Sequence, residues 1–141
     1  MKGEGNCNTM EKPHKRLDAW KLGVELTIDI YKITKTFPDD ERYGITSQMR
    51  RAAASIPSNI AEGAARNTQK EFSNFLHIAQ GSLSQLGTLV EIAFRLGYLS
   101  ASARGEVDAK MVRIDKLVSG LIKSVKTPHL SPLTPNRGKG K

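Results

Sequence analysis

Residues 50–67 read RRAAASIPSNIAEGAARN, and whether a helix passes through Pro57 decides how many helices the chain has. A proline inside a helix removes one backbone hydrogen bond and crowds the carbonyl four residues back, here that of Ala53. Ile56, which precedes it, is biased away from helical geometry. The flanking pattern argues the other way. Ile45, Met49, Ala53, Ile56, Ile60 and Ala64 recur at three and four residues in one unbroken phase. The phase predicts a single second helix, kinked at Pro57 and running to about Ala65. Ala52, Ala53, Ala54, Ala61 and Ala64 make it thin enough for close approach to its neighbours.

Three more helices follow from the same reading. Helix one is predicted from about Arg16 to Phe37, stopped by FPDD. It carries two apolar stripes. Leu17, Trp20, Val24, Ile28 and Tyr31 form one, and Ala19, Leu22, Leu26, Ile30, Ile33 and Phe37 form the other. A helix in a small bundle normally shows one such stripe, so one should pack inside the chain and the other against a second copy. Leu22, Leu26, Ile30 and Ile33 are the candidates for the contact between copies. Helix two should be capped by Thr46 or Ser47. Helix three should start with Asn67 or Thr68 as its cap, present Phe72, Leu76, Ala79, Leu83, Leu86 and Val90, and close at Gly97. Helix four should be capped near Ser100 or Ser102 and bury Val107, Met111, Ile114, Val118, Leu121 and Val125. No strand pattern is present. The expected architecture is an all-α, antiparallel up-down four-helix bundle over residues 14–126. A flexible arm over residues 1–13 should precede it, and a disordered, basic, Pro-rich tail over residues 127–141 should follow.

The chain has 141 residues and a formal charge of +8, and where that charge lies matters more than its size. Residues 17–122 carry thirteen Lys/Arg against twelve acids, whereas residues 123–141 carry five Lys/Arg and no acid. A near-neutral body with basic ends suits contact with a polyanion, or simply a solubilising tail. No apolar run is long enough to span a bilayer, and the first residues lack the apolar centre of a signal peptide. With its single cysteine, Cys7, the chain is expected in the cytoplasm.

Chemistry is sparse. His14, His77 and His129 have no partner at ligand spacing, and no Gly-rich phosphate loop is present. Glu62 and Glu71 invite an acid/base reading. An i,i+4 pair of Glu62 with Arg66, and Glu71 placed at a helix N-terminus, account for them better. No catalytic residue, metal site or cofactor is expected. Arg51, Ser55, Asn59, Glu62 and Arg66 share one face of helix two, with Arg50 on its shoulder. That face suits a subunit interface, nucleic-acid phosphates or bare solvent. The candidate phosphate contacts are Arg50, Arg51, Arg66, Lys70, Lys123, Lys126, Arg137, Lys139 and Lys141. Ser55, Pro57, Asn59, Glu62 and Gly63 are expected to set shape.

The segment SQMRRAAASIPSNIAEGAAR, followed by KEFSNFLHIAQGSLSQLGTLVEIAFRLGYL and preceded by LDAWKLGVELTIDIYKITKTFP, resembles the 23S ribosomal RNA intervening-sequence protein family over about Leu17 to Val125. Gln85 and Gly87 stand where the family often has acids. The resemblance implies a helical bundle that assembles as a ring, typically a homopentamer, encoded in bacterial genomes, with no catalytic residues. A more distant similarity of fold links the family to the accessory protein of diversity-generating retroelements. From these features the chain is expected to be a non-enzymatic, homo-oligomeric protein that binds nucleic acid, structured or ribosomal RNA, through phosphates and without a membrane. The alternative is a scaffold or accessory subunit for a reverse transcriptase, another RNA enzyme or a ribosome-associated partner.

Overall fold

The computed structural model describes the backbone of residues 7–126 and the side chains of residues 15–125. The segments 1–6 and 127–141, and with them the expected C-terminal tail, lie outside the described residues. Four helices make up the fold: α1 (Cys7–Thr34), α2 (Ile45–Ala64), α3 (Gln69–Arg95) and α4 (Ala101–Lys126), with one 3-10 turn at Asp39–Glu41 between α1 and α2. Among the described residues there is no strand. Each helix packs on its two neighbours in the cyclic order α1, α2, α3, α4. With short connections this is the antiparallel up-down bundle.

Fully buried Leu26, Ile30, Met49, Ile56, Leu76, Leu86, Ile114 and Leu121 form the centre of the core. These residues come from all four helices, at about 1.5–3 kcal/mol of transfer free energy for each large side chain. At the C-terminus of α3, Gly97 has φ 81°, the Tyr98 amide donates to the Ala93 carbonyl and the Gly97 amide to Phe94. This is a Schellman closure that requires a residue tolerant of positive φ. Thr68 caps α3 by accepting from the Glu71 amide at 3.1 Å, and Ser100 caps α4 through the Ala103 amide at 3.1 Å.

The start of α2 differs from expectation. Neither Thr46 nor Ser47 caps it; Gly44 holds the N-cap position and supplies no side-chain bond. The 3-10 turn feeds the chain into the helix two residues earlier than a Thr46 cap would, and the Ile45 amide donates to Glu41 Oε1 at 3.4 Å. α1 also differs at both ends. It begins at Cys7 and includes Pro13, so the arm expected over residues 1–13 is helical from Cys7 onward. From Cys7 to His14 only Cys7 and Met10 are apolar, too few to show a helical period. It stops at Thr34, where three successive i→i−3 bonds to Lys32, Ile33 and Thr34 tighten the exit toward Phe37.

The larger correction concerns the stripes of α1. Leu22, Leu26, Ile30 and Ile33, expected to meet a second copy, face the interior of the chain: Leu26 and Ile30 are fully buried, Leu22 is buried and Ile33 packs partly against the core. The outward stripe is Leu17, Trp20, Ile28 and Tyr31, each between 40% and 48% exposed. Gly23 decides the orientation. A Cβ there would come within 3.2 Å of the Pro57 ring, so the side of α1 that carries Gly23 is the one that seats against α2.

α2 runs unbroken through Pro57, and the bond lost at the proline is replaced from outside the helix. The Thr27 hydroxyl lies 3.1 Å from the Ala53 carbonyl and 2.8 Å from that of Gly23, and its single proton is shared between them. Gly23 and Thr27, one turn apart on α1, thus accommodate the ring and satisfy the orphaned acceptor. Thr27→Val keeps the shape and removes the donor, and is expected to cost about 1 kcal/mol, read as a lower urea midpoint at unchanged slope.

Candidate functional site

Arg50 and Arg51 are consecutive on α2 and so point about 100° apart. Arg50 turns to α1: its Nε donates to Thr34 Oγ1 at 2.9 Å, and its guanidinium lies 4.6 Å from the centre of the Tyr31 ring. Arg51 turns outward and donates to Ser47 Oγ at 3.1 Å. Further along, Asn59 donates to the Ser55 carbonyl at 2.8 Å and to Ser55 Oγ at 2.9 Å. Ser55 in turn meets Ser82 of α3 at 2.7 Å. Ser55 and Asn59 therefore tie α2 to α3. Glu62 and Arg66 form the i,i+4 pair at 2.5 Å, with the Arg66 guanidinium 5.0 Å from the Phe75 ring centre. Gly63 is buried where α2 and α3 approach closely.

The antiparallel order sorts the cations into two ends. The start of α1, the end of α2, the start of α3 and the end of α4 all lie at one end of the bundle. Arg16 of α1 stacks on Phe72 of α3 at 4.8 Å, which ties two of these termini directly. Lys15, Arg16, Arg66, Lys70 and Lys123 belong to this end, and the backbone of α4 places Lys126 there as well. The Nε of Arg16 is buried with no hydrogen-bond partner among the described residues. Of the candidate phosphate contacts, the structure thus brings Arg66, Lys70, Lys123 and Lys126 to one end and leaves Arg50 and Arg51 in the other half. Arg137, Lys139 and Lys141 lie outside the described residues. Lys15 and Arg16 were missed by the sequence reading, because only the antiparallel arrangement of the helices shows that they join this group.

Away from this end, Arg95, Arg104 and Lys110 pair with acids within the chain. Glu91 accepts from Arg95 at 2.7 Å and also pairs with Arg104, which reaches Asp108 at 3.2 Å. The Arg95 hydrogen bond, followed by the charges of Arg104 and Arg95, holds the Glu91 carboxyl below its ordinary value against an opposing desolvation. Lys110 of α4 binds Asp29 of α1 at 2.6 Å, with Glu25 at 3.8 Å. Chiefly the Asp29 bond raises its ammonium above the ordinary lysine value. His77 is exposed and bonds only the Ser73 carbonyl in its own helix, at 2.9 Å. Among the described residues no group of three His, Cys, Asp or Glu is placed to hold a metal. No helix there is long and apolar enough to cross a membrane.

An apolar groove of about 420 Å³ lies between α1 and α2, lined by Leu17, Trp20, Ile60, Ala61 and Ala64 beside Arg16. It continues the outward stripe of α1.

A family model described as 23S rRNA-intervening sequence protein matches residues 15–120. The bundle is similar to a crystal structure from Bacteroides thetaiotaomicron, described as a protein of unknown function from the S23 ribosomal protein family. The TM-score is 0.72 at 22% identity, covering 77% of this chain and 98% of that one. No curated protein matches this chain in sequence.

Proposed function

The chain belongs to the 23S rRNA-intervening sequence protein family, and from that premise we propose that it is a non-enzymatic protein that binds structured RNA through phosphate contacts and works as an assembly of copies. The observation that carries this reading is the basic end. The bundle topology gathers Lys15, Arg16, Arg66, Lys70, Lys123 and Lys126 where the segment bearing Arg137, Lys139 and Lys141 departs. Phosphate recognition needs only cations at the spacing of a polyanion, and the paucity of aromatic residues (6%) argues against base stacking as the main source of affinity. Copies meet through the outward stripe of α1 and the adjoining groove. A ring of five is the assembly typical of the family that this sequence resembles. Several basic ends acting together raise avidity without new contacts.

The test is equilibrium binding of the full chain to structured RNA between 50 and 200 mM salt (about the range over which phosphate binding weakens steeply). Affinity is expected to fall steeply with salt. Deleting residues 127–141, which removes three cations, should weaken binding by about tenfold or more and flatten the salt slope by up to about 3. Affinity indifferent to both salt and the deletion contradicts the reading. The same exposed apolar stripe favours one second reading, in which it docks a protein partner such as an RNA enzyme.

A further inference from the structure

The groove between α1 and α2 is open, and its walls state what fits it. Leu17, Trp20, Ile60, Ala61 and Ala64 make it apolar, and Arg16 is the one charged residue among its described lining. Ala61 and Ala64 leave room that larger side chains would fill. The Nε of Arg16 is buried with no hydrogen-bond partner, so this wall is short of an acceptor. An occupant that satisfies both features is apolar along its length and carries free acceptors.

The chain contains such a segment. Residues 127–136 read TPHLSPLTPN, with no Lys, Arg, Asp or Glu, and Leu130 and Leu133 are the last aliphatic side chains before the basic tip. Pro128, Pro132 and Pro135 favour polyproline II geometry. At three residues per turn, Leu130 and Leu133 then fall on one side, about 9 Å apart. Pro132 and Pro135 have the PxxP spacing with which such segments dock on aromatic-lined grooves, and the aromatic ring in this groove is Trp20. A polyproline II backbone makes no hydrogen bonds of its own, so its carbonyls are free to accept. The segment also starts in the right place. α4 ends at Lys126, at the same end of the bundle as Arg16 and Ala64. Leu133 lies seven residues further on, up to about 23 Å of extended chain, against roughly 8–10 Å between packed helices.

We propose that the groove seats residues 128–135 of a neighbouring copy. Leu130 and Leu133 pack against Trp20, Ala61 and Ala64, and a backbone carbonyl of the segment accepts from Arg16. α4 packs on α1 and α3 but not on α2, so α1 stands between a chain's own segment and its own groove. A copy seated on the outward stripe of α1 brings its segment to the open side. The inference rests on the contact between copies proposed above and names the segment that completes it. Seated there, the segment also holds Arg137, Lys139 and Lys141 close to the cations of the basic end.

Trp20 is the only tryptophan in the chain, so its fluorescence reports on the groove. The test compares the full chain with the double variant Leu130→Ser/Leu133→Ser, which keeps every charge and alters no core residue. The variant should raise the concentration at which copies separate by about tenfold or more, and Trp20 emission should move to the red. A synthetic peptide of residues 127–136, added to the variant, should return the emission to the blue saturably. Unchanged mass and emission in the variant, or no saturable response to the peptide, overturns the proposal. If Trp20→Asp still lowers the mass in that case, the contact between copies stands without the segment; if it does not, that contact falls as well. Trp20 protection that depends on Leu130 and Leu133 but persists on dilution to single copies places the segment on its own chain and overturns the exchange.

Discussion

Leu26→Asp is expected to abolish the folded chain. Leu26 is 0% exposed at the centre of the bundle, and the substitution removes about 1.5–3 kcal/mol of apolar burial. It also places a carboxylate among apolar side chains with no partner. Several further kcal/mol are then lost, either to desolvation or to holding the group protonated. Against a total stability of about 5–15 kcal/mol for a domain of this kind, most of the margin is gone. The readout is loss of helical circular dichroism and of a cooperative urea transition. Trp20→Asp provides the contrast. Trp20 is 40% exposed on the opposite side of α1, so the helices should survive and the assembly mass by light scattering should fall. A folded Leu26→Asp protein of reduced mass would reverse the assignment of the two stripes.

Gly63→Ala carries the second large effect. A Cβ built on Gly63 lies 2.7 Å from Phe75 Cβ, 2.9 Å from Phe72 Cδ1 and 3.3 Å from the Phe72 carbonyl oxygen. The first and last of these atoms are fixed to the backbone of α3, so relief requires moving α2 off α3. Overpacking of this kind costs about 1–3 kcal/mol, which outweighs the roughly 0.5–1 kcal/mol that alanine gains over glycine in a helix. The urea midpoint should drop. Gly120, in α4, faces open space, so Gly120→Ala should raise the midpoint by the propensity gain alone. Equal stabilisation by both substitutions would show that α2 and α3 do not approach at Gly63.

The helices and their order were legible in the sequence because apolar periodicity reports burial directly. That is why α2 could be followed through Pro57 on the phase of Met49, Ile56 and Ile60. Thr68 as the α3 cap, Gly97 as its terminator and the Glu62–Arg66 pair are local chemistry, decided within four residues, and local patterns suffice for them. What was not legible depends on which helix lies opposite. The two stripes of α1 have similar apolarity, and only the fit of Gly23 to Pro57 tells inside from outside. The replacement of the lost Ala53 bond by Thr27 joins residues far apart in sequence. The basic end has the same origin: Arg16 reaches Phe72, two residues after Lys70, because α1 and α3 start at the same end.

Crosslinking the full-length protein to RNA in the cells that encode it, followed by sequencing of what it retains, tests the central claim most directly. Enrichment of structured RNA, with crosslinks mapping to Lys15, Arg66, Lys70 and the segment after Lys123, is the predicted result. A protein that recovers no RNA above background, and instead retains a stable protein partner after nuclease treatment, would contradict it.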